Sequence, residues 1–135
     1  VIYQVVERGI PFLGICLGMQ LLFESSEEFG HSKGLGLIPG NVIKIKTDMV
    51  LPHMGWNDLK ITQEIPLLKD LPQDSDVYFV HSFRADTDSQ YIAATAQYGE
   101  TVPAVVFNGN VMGTQFHPEK SLKWGEKIMT NFFNM

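Results

Sequence analysis

The sequence predicts an α/β fold with a partly antiparallel sheet. Three observations carry this. Apolar residues at helical spacing stand at both ends of the chain, with strand-like runs between them. Two of those runs flank Asn108-Gly109, a pair typical of a hairpin turn, so part of the sheet is antiparallel. The apolar run before Cys16 changes character across "GICLG", where a strand hands over to a helix.

The elements follow in order. Val1, Ile2, Val5 and Val6 are spaced like one helix face, and Gly9 stops that helix. The pattern begins mid-helix and without Met, so the reading expects a missing N-terminal piece. Residues 11–15 form a short buried strand. Residues 17–29 read as a helix, with Leu17, Gln20, Leu21 and Glu24 at helical spacing. The glycine-rich "HSKGLGLIPG" is a loop. Residues 42–46 alternate as a half-exposed strand, expected to pair with "VLPHMGWNDLKI" around a turn or bulge at Gly55. Residues 66–71 suggest a short helix, and residues 76–83 and 91–97 suggest strands. Residues 104–107 and 111–116 form the hairpin. Ser121 is placed to cap a final helix whose buried face is Leu122, Ile128, Met129, Phe132 and Phe133.

The bulk numbers narrow the class. With 135 residues and 44 % hydrophobic content, the chain can bury the core of one domain. A net charge of −5 without a Lys/Arg stripe argues against nucleic acid and anionic membrane as partners. No apolar run reaches the ~20 residues of a membrane span, and the start lacks the pattern of a signal peptide. The single cysteine cannot close an internal disulfide, which points to a reducing cytoplasm. One Cys and scattered His lack zinc spacing, so neither a metal nor a cofactor is expected.

Cys16 stands between Gly14 and Gly18. A sharp strand-to-helix turn forces the turning residue into strain and lifts its side chain from the sheet, as in the G-x-S-x-G nucleophile elbow. There a helix N-terminus favours thiolate, and the N–H of Leu17 would face an oxyanion. The alternative is that Cys16 is a small buried hydrophobe. Of the four histidines, His117 in "GTQFHPEKS" follows an apolar strand, and Glu119 lies two residues on. A Cys-His-Glu relay fits this spacing, with the carboxylate fixing the imidazole tautomer. A loop histidine beside a solvated glutamate fits it as well.

At these residues the chain resembles the class I glutamine amidotransferases. "GICLGMQLLF" followed much later by "QFHPEKS" carries the likeness. "SSEE", "GLGLIPG", "PHMGWN" and "YFVHSF" make it most similar to the glutaminase subunits of imidazole glycerol phosphate synthases, over nearly the whole chain. The resemblance implies a flavodoxin-like fold, a mixed sheet with helices on both faces, lacking its first strands. Residues 1–135 would be the C-terminal portion of one such domain. It implies hydrolysis of glutamine to glutamate and ammonia. Cys16 is then the nucleophile, His117 the base and Glu119 its orienter, with Leu17 N–H as oxyanion donor. Gln20, His81, Ser82 and Phe83 match positions that hold glutamine. His53, Met54, Trp56 and Asn57 match the segment facing a (β/α)₈ cyclase subunit, which takes the ammonia in a heterodimer of histidine biosynthesis. By composition alone Trp56 is a core aromatic. The resemblance also implies an upstream glycine-rich loop with a second oxyanion donor, absent from this sequence. Little glutaminase activity is therefore expected of these residues alone. A glutaminase subunit of another synthase, or a non-catalytic partner-binding remnant, are the competing readings.

Overall fold

The computed structural model describes residues 1–28 and 30–135. Its central sheet is mixed. β1 (Phe12–Ile15) runs parallel to β11 (Val111–Thr114), which pairs antiparallel with β10 (Thr101–Asn108). β9 (Ile92–Gln97) and the short β6 (Lys60–Ile61) complete it in the order β1-β11-β10-β9-β6. Alternation along these strands splits the core in two, since successive side chains point to opposite faces. Val105 and Met112 join a cluster with Phe79, Phe116 and Ile128 of the C-terminal helix α3 (Leu122–Phe133). Val106 and Val111 join another with Met19 of α2 (Leu17–Gln20), Leu22 and Phe23. Val6 of α1 (Ile2–Glu7) packs against this second cluster. Helices therefore cover both faces of a mixed sheet, as the resemblance implied.

Two smaller sheets lean on this frame. β3 (Ser32–Lys33), β2 (Ser25–Ser26), β4 (Asn41–Lys44) and β8 (Phe83–Asp86) form one. β5 (His53–Asp58) and β7 (Asp76–His81) form an antiparallel ribbon. The expected strand over residues 76–83 is thus two strands. The chain leaves the β5 ribbon after His81 and joins β4 at Phe83, with the carbonyl of Ser82 between them accepting from Ile45 N–H.

Several expectations are corrected. The helix over residues 17–29 ends at Gln20, and the part of the expectation at Phe29 lies outside the described residues. The carbonyls that would extend the helix are taken: Leu21 O accepts from Leu35 N–H, Leu22 O from Leu37 and Ile38, and Phe23 O from Gly36. The glycine-rich stretch thus packs its backbone onto the helix end, and Gly34 sits where a Cβ would lie 2.0 Å from Phe23 O. β5 pairs with β7 and not with β4. Cross-strand aromatic pairs favour that choice: Trp56 faces Tyr78 and His53 faces His81. Gly55 neither turns the chain nor breaks the register. It adopts φ +122° inside a continuous ladder, in the region that favours glycine.

The hairpin forms, but its two loop residues are Gly109 and Asn110, because Asn108 pairs with Val111. Gly109, at φ +60°, takes the first central position as in type II′ turns. The segment after Ile65 makes only a 3₁₀ turn over Pro66–Leu68. On α3, Ile128 is buried with Gly125 and Asn131, while Leu122 and Phe133 are exposed. Asn131 earns its place by donating to the carbonyls of Leu67 and Lys69. Ser121 stands at the N-cap but does not cap: its hydroxyl is engaged elsewhere. No helix among the described residues is long and apolar enough to cross a membrane.

Candidate active site

Cys16 occupies the turn between β1 and α2 at φ +54°, ψ −106°. Such a conformation costs a non-glycine residue about 1–3 kcal/mol and persists only where its surroundings enforce it. They do. Cys16 N–H donates to Thr114 O of β11 at 2.7 Å, and Cys16 O accepts from Gln20 N–H at 3.2 Å. Gly14 makes the turn possible, since a Cβ there would meet Gly18 O at 2.5 Å. Gly18 itself is in open space, so its lack of a side chain relieves no clash.

The thiol lies half-buried in a small pocket with Leu17, Gln20, Glu28, Val80, His81 and Ser82 on its walls. Sγ donates to Val80 O at 3.7 Å and receives Nε2 of Gln115 at 3.9 Å. Burial pushes the thiol pKa up. The Leu17 N–H and Gln115 act against this, while Glu119 and Glu28 reinforce it. The expected preference for thiolate is therefore reversed in the resting protein. α2 is only 4 residues long, too short for a strong dipole, and desolvation dominates. A base is needed to ionise this cysteine.

His117 and Glu119 form a pair, Nδ1 to Oε2 at 2.9 Å. Nδ1–H donates to the carboxylate, which leaves Nε2 as the proton acceptor. The loop carrying them is fastened to β7. His117 N–H donates to Tyr78 O, the Ser121 hydroxyl donates to His117 O at 2.6 Å, and Tyr78 N–H donates to Ser121 Oγ at 2.9 Å. β7 thus anchors the histidine at Tyr78 and the thiol at Val80. Among the described residues no hydrogen bond joins Cys16 to His117.

The other expected site residues divide. Gln20 is buried and reaches Phe83 O with Nε2 at 3.4 Å. His81 is buried and donates from Nδ1 to the same carbonyl at 2.8 Å. Its Nε2 then accepts from Nδ1–H of His53 at 2.9 Å, and His53 Nε2 accepts from Asn57 Nδ2 at 3.2 Å. Desolvation lowers both imidazoles to about 4, so both are neutral at neutral pH. His53 is 3 % exposed and stacked between Phe79 and Tyr98. It cannot belong to an exposed face, and Asn57 is turned toward it and Gln97 O. Met54 and Trp56, on the other side of β5, are 61 % and 51 % exposed. Trp56 is thus no core aromatic.

Gln115 was given no role by the sequence reading, although it is fully buried against the sulfur. The available signal was a lone amide, between Thr114 and Phe116, at the end of the strand that leads to His117. A larger cleft, near 650 Å³, is lined by residues such as Gln63, Glu64, Lys69 and Asp70 and carries no histidine or thiol. Among the described residues no three His, Cys, Asp or Glu side chains group as metal ligands.

Comparison with known proteins places the chain. The family model for glutamine amidotransferase class-I matches residues 1–135. An imidazole glycerol phosphate synthase subunit HisH of Methanocaldococcus jannaschii is 52 % identical over 134 residues, which is 99 % of this chain and 68 % of that protein. The subunit of the same name from Syntrophotalea carbinolica is 51 % identical, over 96 % of this chain and 67 % of its own length. The chain thus spans about two thirds of the length of these relatives. A glutamine amidotransferase structure from Thermotoga maritima superposes with a TM-score of 0.67 at 20 % identity, over 98 % of this chain and 51 % of that one.

Proposed function

Since this chain belongs to the glutamine amidotransferase class-I family, we propose that it is the glutaminase portion of an imidazole glycerol phosphate synthase, with Cys16, His117 and Glu119 as its triad. In this reading residues 1–135 act as one domain. Sγ of Cys16 attacks the side-chain amide carbon of glutamine while its proton passes to Nε2 of His117. Negative charge collects on the amide oxygen, toward the N–H of Leu17. His117 then returns the proton to the nitrogen, the C–N bond breaks, and ammonia leaves a glutamyl thioester. Water, deprotonated by His117, releases glutamate and restores the thiol. Glu119 holds the imidazole tautomer throughout.

The observation that carries the proposal is the elbow: a strained cysteine at φ +54° whose thiol opens into a pocket shared with Gln20, His81 and Ser82. The His117–Glu119 pair, on a loop fastened to β7, the strand whose Val80 carbonyl meets the thiol, complements it. Gln20 and the backbone of His81, Ser82 and Phe83 hold the substrate. Ammonia passes to a (β/α)₈ cyclase subunit in a cytoplasmic heterodimer of histidine biosynthesis, where imidazole glycerol phosphate is formed. Met54 and Trp56 meet that partner, and His53 and Asn57 support them from behind. The shared name of the relatives favours this synthase over other ammonia-consuming partners.

The test is glutamate release in the presence of the cyclase subunit. Cys16→Ser is expected to abolish it, since a hydroxyl is a far weaker nucleophile than a thiolate, while cyclase driven by added ammonium continues. Glutaminase activity retained in that variant would overturn the assignment.

A further inference from the structure

One half-buried carbonyl sets the orientation of two side-chain amides beside the thiol. Phe83 O can only accept hydrogen bonds. Gln20 approaches it with Nε2 at 3.4 Å, so the NH₂ of Gln20 and not its oxygen points inward. The same Nε2 lies 3.3 Å from Oε1 of Gln115. Gln115 must then turn its own NH₂ the other way, where Nε2 lies 3.9 Å from Cys16 Sγ. Neither amide is free to flip, being 0 % exposed at Gln115 and 6 % at Gln20. The carbonyl is itself fixed by Nδ1–H of His81, whose Nε2 is held by His53.

The sulfur therefore meets one acceptor and two donors. Val80 O serves the protonated thiol, whereas Leu17 N–H and the Gln115 amide serve the thiolate. Apart from His117, which takes the proton in the proposed reaction, the charged and titratable groups around it do not help the thiolate. Glu28 lines the pocket and Glu119 follows His117, and both carboxylates disfavour a second negative charge. His81, from β7, is neutral. Gln115 is thus the buried side chain that offsets burial at this sulfur.

We propose that Gln115 is a positioning residue for Cys16: its Nε2–H, oriented through Gln20 by the carbonyl of Phe83, holds the sulfur once the proton has gone to His117. The proposal rests on the glutaminase reading of the site, but its test uses no glutamine. Cys16 is the only cysteine in the chain, so the pH profile of alkylation by iodoacetamide reports this thiol alone. Gln115→Met, close in shape but without a donor, should move the midpoint upward and slow alkylation about 3- to 10-fold at neutral pH. A purely structural role, with the circular dichroism spectrum retained, would leave the midpoint in place.

A second measurement needs no variant. In the unaltered chain the side-chain ¹⁵N resonance of Gln115 should shift with the same midpoint as alkylation. An unchanged midpoint in folded Gln115→Met overturns the proposal, and so does a Gln115 resonance that ignores the titration of Cys16. Should the variant fail to fold, the resonance decides. The Cys16→Ser glutaminase assay is read separately, so failure of the nucleophile assignment is distinguishable from failure at Gln115.

Discussion

At the scale of single residues, the site is governed by desolvation as much as by chemistry. Cys16 rests as a thiol because burial outweighs the donors around it. His53 and His81 rest neutral for the same reason, at about 4 against 6.5 for a free imidazole. This has a consequence for stability. Between those two values the unfolded chain binds more protons than the folded one, so stability falls as pH drops through that window. Thermal melts should therefore show a melting temperature that declines from pH 6.5 toward about pH 5, above the range where carboxylates titrate. A flat profile there would mean that the imidazoles charge in the folded state. The strained turn at Cys16 and the His117–Glu119 pair, the triad proposed above, were marked locally in the sequence by glycines, proline and spacing. Gln115 was not, since its role depends on Gln20 and Phe83, which lie 95 and 63 residues of chain apart from their partners. The burial of His53 was not legible for a like reason: alternation along β5 does not say which side faces Phe79 and Tyr98.

At the scale of elements, periodicity located most strands but not their partners. β4 and β5 are close in sequence, and proximity suggested a pair. Side-chain matching with β7 decided otherwise, and β4 took β8. The helix over residues 17–29 failed because its carbonyls bond to a loop that local spacing does not describe. The elbow itself was read correctly as a strained turn, although the two glycines differ in what they do. Gly14→Ala should displace α2 from β1 and destabilise the chain by about 1–3 kcal/mol, as overpacking does. Gly18→Ala, where a Cβ meets nothing within 4 Å, should be neutral or slightly stabilising, because alanine favours the helix. Urea unfolding of the two variants checks this; equal losses at both positions would contradict the geometry of the turn.

At the scale of the whole molecule, one mixed sheet supports the strained turn of Cys16 at its β1 edge and an exposed pair, Met54 and Trp56, on a neighbouring ribbon. The class of fold was legible because helices end the chain and a hairpin lies near its close. The division into three sheets was not, because it depends on the chain switching ribbons at Ser82. Trp56→Ala should leave the melting temperature of the chain nearly unchanged, within about 0.5 kcal/mol of stability, yet weaken its complex with the cyclase. A collapsed melting temperature would instead return Trp56 to the core. The central claim is that Cys16 takes the acyl group of glutamine, and the most direct measurement is mass spectrometry of the chain quenched in acid during turnover of glutamine with the cyclase present. The account predicts a glutamyl group on the peptide containing Cys16, absent from Cys16→Ser; glutamate formed with no adduct on that peptide, or an adduct on another residue, would contradict it.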